Sequence, residues 1–110
     1  MSTDFADRLA ALRNSGGALD LLKAEMAAES ASSLGFHGRQ VEAAMNAIRA
    51  FDAAGKGTAD ERLALLKQAA KAVWNYFVQR EMCGIRDHRW AIEDYGITNE
   101  VMVRLGAIER

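Results

Sequence analysis

The residue types that could do chemistry are few and lie late in the chain. Cys83 is the single cysteine, and it stands five residues before His88; the other histidine, His37, is far off in sequence. A spacing of five does not put two side chains on one helical face, and a closed zinc site needs four ligands in paired spacing. No metal and no cofactor is therefore expected. A nucleophilic thiol at Cys83 would need a neighbouring base and a lowered pKa, for which Arg80, Arg86 and His88 are the local candidates. A small-molecule or enzymatic site near Cys83, Arg86 and His88 is one of three functional readings, and no catalytic residue stands out within it.

The acid pairs Asp60-Glu61 and Glu93-Asp94 do not require acid–base catalysis. The first pair suits the opening turn of a helix, where the dipole favours negative charge. The second pair diverges by about 100° on a helix and is solvated. Gly55-Lys56-Gly57-Thr58 lacks the spacing of a phosphate loop and reads as a linker.

Residues 88–105, HRWAIEDYGITNEVMVRL, have the layout of a helix-turn-helix: a glycine (Gly96), an apolar plug (Ile97), a cap (Thr98) and apolar residues at core spacing. A nucleic-acid-linked regulator using this pair is the second reading. Its charge is poor for that task. Asn99, Glu100, Val103 and Arg104 would face the groove with one acid and one base, and phosphate binding needs several cations on one face. Nucleic-acid binding is therefore not expected.

Trp74, Tyr76, Phe77, Trp90 and Tyr95 lie close in sequence to Arg80, Arg86 and Arg89. Trp, Tyr and Arg are the residue types enriched at binding hot spots. The run Val73, Trp74, Tyr76, Phe77, Val78 is apolar on nearly every side of a helix, as expected of a helix at an interface or buried on several sides. The expected self-association surface of a homodimer comprises Val73, Trp74, Tyr76, Phe77, Val78, Arg80, Arg86, Arg89 and Trp90. A non-enzymatic interaction or structural protein is the leading reading.

These residues must be positioned by helices. The 110-residue chain has no proline, and its glycine clusters punctuate helical periodicity. The spacing predicts helices over about Thr3 to Asn14, Ala18 to Leu34, Arg39 to Ala54 and Thr58 to Met82. Gly35-Phe36-His37-Gly38 is expected to break or kink the chain. Thr58-Ala59-Asp60-Glu61 matches a capping box. Short helices are expected over about His88 to Tyr95, capped by Asp87, and about Asn99 to Leu105, with Glu100 and Arg104 paired at i, i+4. The expected fold is all-α: a compact helical bundle of about four main helices plus a short C-terminal helical pair, as one domain over 1–110.

Composition narrows the setting. Basic residues number 14 against 15 acidic ones, for a net charge of −1, so neither a polycation nor an acidic tail is present. No apolar run approaches the length of about 18 residues needed for a membrane span, and the N-terminus has no signal-peptide pattern. A cytoplasmic location with no membrane role is expected. Alanine fills many apolar positions, which leaves room for a second subunit to complete the core.

The segments LLKAEMAAESASSLG (21–35), VEAAMNAIRAFDAAG (41–55) and WNYFVQREMCGIRDHRWAIEDYGITNEVMVRLG (74–106) resemble a small bacterial family of all-helical proteins classed as a domain of unknown function. VQREMCGIRD, DYG and the final EV…RLG carry the likeness best. Thr98 stands where that pattern suggests a proline. The resemblance implies an all-α fold in the bacterial cytoplasm, and no activity or site residue.

Overall fold

The structure is a computed structural model describing residues 17–106. Every regular element among them is helical: α1 is Gly17–Ala54, α2 is Ala59–Met82, α3 is Arg89–Tyr95 and α4 is Asn99–Met102. The chain is all-α. It divides into two compact units, Met1–Ser32 and Ser33–Arg110. The helix expected over 3–14 lies outside the described residues. In the first unit, residues 17–32 are helical; Ala18 is buried, while Leu19, Leu22 and Met26 are exposed.

The expected break at 35–38 does not occur. α1 runs through Gly35 and Gly38 as one helix. Glycine costs a helix interior up to about 1 kcal/mol relative to alanine but, unlike proline, does not block its hydrogen bonds. Gly38 has a packing reason as well. A Cβ there would stand 2.5 Å from the Tyr95 hydroxyl oxygen and 3.7 Å from the Tyr76 ring. Only a residue without a side chain lets the Tyr95 hydroxyl lie this close to the α1 backbone.

In the second unit the core forms from one face of each helix. α1 contributes Val41, Met45 and Ile48, at i, i+4 and i+7. α2 contributes Leu66, Ala69, Ala70, Val73, Tyr76 and Phe77, and the C-terminal elements add Ala91, Ile97 and Val101. The capping box at α2 is formed as expected: the Glu61 N–H donates to Thr58 Oγ1 at 3.1 Å, and the Thr58 N–H donates to Glu61 Oε1 at 2.7 Å.

The ends of α2 and α3 are closed by the same device. The Ile85 N–H donates to the Arg80 carbonyl and the Gly84 N–H to the Glu81 carbonyl; likewise Ile97 donates to Ile92 and Gly96 to Glu93. These paired bonds, 6→1 and 5→2, satisfy the last carbonyls of each helix, with an apolar residue just past the turn. Gly96, at φ 63°, supplies the left-handed residue that the second turn requires.

The last helix is shorter than the sequence suggested. α4 is one turn, and Thr98 makes no side-chain cap bond. Nor does Glu100 bond to Arg104. It accepts from Arg62, Oε2 from Nη1 at 2.7 Å and Oε1 from Nη2 at 3.1 Å. Arg62 also donates to Asp52, Nε to Oδ1 at 2.8 Å and Nη2 to Oδ2 at 3.0 Å. One guanidinium thereby ties the last turn of α1 and the start of α4 to the first turn of α2. These hydrogen bonds hold both carboxyl groups below their ordinary range, as a fork of charged donors does.

Candidate functional site

The aromatic and arginine residues that the sequence groups together separate onto two sides of α2. Val73, Tyr76, Phe77 and Arg80 turn inward and are buried, whereas Trp74 and Val78 are exposed, as are Arg86, Arg89 and Trp90. The stretch 73–78 is thus partly core and partly surface. Residues 73, 76, 77 and 80 follow the core period, and 74 and 78 fall a quarter-turn or more away.

The inward cluster is built around Arg80, 6% exposed and the buried charged residue among those described. The paired turn at Gly84 and Ile85 reverses the chain and returns residues 87 and 88 onto α2. Arg80 Nε donates to His88 Nδ1 at 3.1 Å, and Nη2 donates to the Asp87 carbonyl at 3.1 Å. Nη1 lies 3.5 Å from the Tyr76 hydroxyl. The guanidinium carbon also sits 5.5 Å from the Tyr76 ring centre and 5.8 Å from that of Trp90, within the range of a cation–π contact.

His88 is fixed on three sides. Its ring stacks on Phe77, with centroids 4.1 Å apart and planes 5° from parallel. Nδ1 accepts from Arg80, so in the neutral ring the proton sits on Nε2. That nitrogen is 2.9 Å from Glu81 Oε2 and donates to it. Arg80, His88 and Glu81 thus form a chain in which a buried cation reaches an exposed carboxylate through a neutral imidazole. With each of its groups engaged, the cluster holds the segment after α2 in place and leaves no nitrogen of His88 for a substrate.

Cys83 is the half-buried closing residue of α2, and its N–H donates to the carbonyls of Gln79 and Arg80. Both nitrogens of His88 are used, so His88 is not held as a base for the thiol. Among the described residues no three His, Cys, Asp or Glu side chains are grouped as a metal ion would require. Asp87 receives the Arg89 backbone N–H at 3.0 Å and its guanidinium at 2.6 Å and 3.1 Å. Those bonds hold the Asp87 carboxyl well below its ordinary range. Tyr95 packs edge-on against Tyr76, at 5.6 Å, and burial, with Tyr76 beside it, pushes its phenol upward.

The helix-turn-helix layout has the turn but not the reading helix. α4 is four residues long, Val101 is fully buried and Glu100 is held by Arg62. A single turn presents too little surface to follow a major groove.

The outward side of α2 carries a feature that sequence grouping missed. A groove of about 560 Å³ is lined, among the described residues, by Lys67, Gln68, Ala70, Lys71, Trp74, Arg104 and Gly106. Lys67, Lys71 and Trp74 share one face of α2 at spacings of four and three, which is legible in the sequence. The arrival of Arg104 and Gly106 beside them is tertiary and is not.

Helices packed through an apolar core, with a hydrogen-bonded polar cluster on one side and an open groove on the other, define a small all-α protein without a catalytic constellation among its described residues. The chain belongs to a family of unknown function (DUF6665), whose model matches residues 1–110. No curated protein and no solved structure matches it significantly. Among the described residues no helix is long and apolar enough to cross a membrane.

Proposed function

We propose that this chain is a non-enzymatic helical interaction protein that forms a homodimer through the outer face of α2. One observation carries the reading: Trp74, Val78 and Met82 recur at i, i+4 and i+8 and are 49%, 39% and 75% exposed. The opposite side of the same helix fills the core, so the fold gains nothing from this second apolar stripe. Exposed apolar surface in a row is what an interface needs.

A second copy is the occupant that the stripe suits. In a two-fold antiparallel crossing, Val78 and Met82 of one copy lie on Met82 and Val78 of the other, a self-complementary contact. Trp74 flanks the contact. Of the interface residues expected from sequence, Trp74, Val78, Arg86, Arg89 and Trp90 are the ones whose exposure lets them meet a partner. The single free thiol and the resemblance to a bacterial family support a cytoplasmic bacterial setting.

Light scattering tests the reading. The expected mass at micromolar concentration is twice the 12.0 kDa of one chain, returning to one chain in a Val78→Asp/Met82→Asp variant whose circular dichroism is unchanged. A mass of 12.0 kDa for the unmodified chain across that range overturns it.

A further inference from the structure

We propose that His88 is an acid-sensitive latch that holds the segment after α2 onto that helix. The latch is a bond between two side chains that cannot both be charged while it stands. Arg80 Nε donates to His88 Nδ1 at 3.1 Å. Arginine has donors only and is not deprotonated in proteins, so this bond exists only while Nδ1 carries no proton. A proton there sets two N–H donors against each other and places two cations side by side. The second hold is next to it in the chain: Arg80 Nη2 donates to the Asp87 carbonyl at 3.1 Å. Trp90, whose ring centre is 5.8 Å from the Arg80 guanidinium carbon, rides on the same segment with Arg86 and Arg89. Opening the latch therefore changes the face that these three exposed residues present.

The charged groups around His88 pull in both directions, and burial decides between them. From α2, Arg80 opposes a proton on the ring, whereas Glu81, 2.9 Å from Nε2, favours one. The Phe77 ring stacked on the imidazole is apolar. From the segment itself, the Asp87 carboxylate favours the proton, but it is bound to the Arg89 guanidinium, which offsets its charge. Arg80 is 6% exposed, and the Glu81 side chain is 57% exposed. Solvent and salt screen exposed charges far more than buried ones, so the repulsion from Arg80 outweighs the attraction of Glu81. The docked state thus binds one proton fewer than the released state. Docking strengthens as pH rises and is lost as pH falls. Histidine changes charge between about pH 5 and 8, above the ordinary carboxylate range. Asp87, held well below that range, stays ionised throughout.

The latch does not rest on the dimer, since Val78 and Met82 take no part in it. Backbone hydrogen exchange of the full chain tests it, read as protection factors at about pH 7.5 and about pH 5.5. Protection of the α3 amides, Ile92 among them, should fall at least about tenfold on acidification, the equivalent of one hydrogen bond to a charged group. The amides of Ala69, Ala70 and Val73, in the middle of α2, should keep theirs. His88→Asn offers Arg80 an amide oxygen as acceptor and takes up no proton, so α3 protection in that variant should be the same at both pH values. Nitrogen NMR, which needs no variant, should find Nδ1 of His88 without a proton at about pH 7.5. Four results overturn the proposal: protection of α3 that is indifferent to pH, a loss shared equally by the middle of α2, a pH dependence that survives His88→Asn, or a proton on Nδ1 at the higher pH.

Discussion

The two sides of α2 use the same residue types to opposite ends. On the inner side the guanidinium of Arg80 is buried, and its donors meet a histidine nitrogen, a carbonyl and a phenol. On the outer side Lys71 and Arg104 stand around an apolar groove with no carboxylate in its described lining. A cation with a partner at each of its three nitrogens organises the fold. Lys71 and Arg104, in no ion pair among the described residues, do no comparable work in the core. Arg80 belongs to the Arg and aromatic cluster read from the sequence, whereas Lys71 and Arg104 lie outside it.

The largest effect should follow from breaking the inner side. In Arg80→Met, His88 Nδ1 and the Asp87 carbonyl lose their donor while remaining partly buried. Each unsatisfied group costs about 1–3 kcal/mol, so a loss of about 3 kcal/mol is expected from urea unfolding. Lys71→Ala, on the outer side, should change stability by no more than about 0.5 kcal/mol, because the helix loses only a repulsive neighbour. Equal losses from the two substitutions would erase the distinction between the two sides.

A smaller effect, with a change of sign, separates the two glycines inside α1. A Cβ at Gly35 meets only the end of the Arg39 side chain, at 3.3 Å, whereas one at Gly38 meets the Tyr95 hydroxyl at 2.5 Å. Arg39 is exposed and can swing away; Tyr95 is packed edge-on against Tyr76. Gly35→Ala should therefore stabilise by up to about 1 kcal/mol through helix propensity. In Gly38→Ala, overpacking of about 1–3 kcal/mol outweighs the same gain. Thermal melts of the two variants should move in opposite directions, and a rise in both would show that the tyrosines give way freely.

This pair also marks the limit of the sequence. The helical class, the capping box at Thr58, the end of α2 at Met82 and the stop at Gly96 are local features, and residue types near each position suffice to read them. The glycines at 35 and 38 carry the same letter as those that end helices. What distinguishes Gly38 is a tyrosine 57 positions later in the chain. The Gly84-Ile85 turn, which Gly96-Ile97 repeats, brings His88 back onto Arg80. The groove was half legible: Lys67, Lys71 and Trp74 share a helical face by spacing alone, but Arg104 and Gly106 join them only through the packing of α4 on α2. The segment VQREMCGIRD, strongest in family resemblance, holds Arg80, Glu81 and the turn that places His88. Its pattern therefore has a structural explanation and by itself indicates no chemistry.

The smallest effect concerns a cation intermediate between the two sides. Arg62 is exposed enough to be screened, yet it is paired with Asp52 and Glu100, 10 positions before it and 38 after. Sequence spacing favoured Arg104 as the partner of Glu100, because local pairs can be read and distant ones cannot. Arg62→Gln should lower the melting temperature by a few degrees at neutral pH, less in molar salt, as for surface pairs in general. The sign with pH follows from the carboxyl groups, which are held below their ordinary values of 3.8 and 4.5. Groups shifted in that direction add stability in full above those values and lose it as pH falls through the lowered ones. The gap between the parent chain and Arg62→Gln should accordingly be constant from pH 8 to about 5 and close below about 4. A gap that persists undiminished at pH 2 would mean that Arg62 acts by packing of its stem, and the three-helix tie would not be electrostatic.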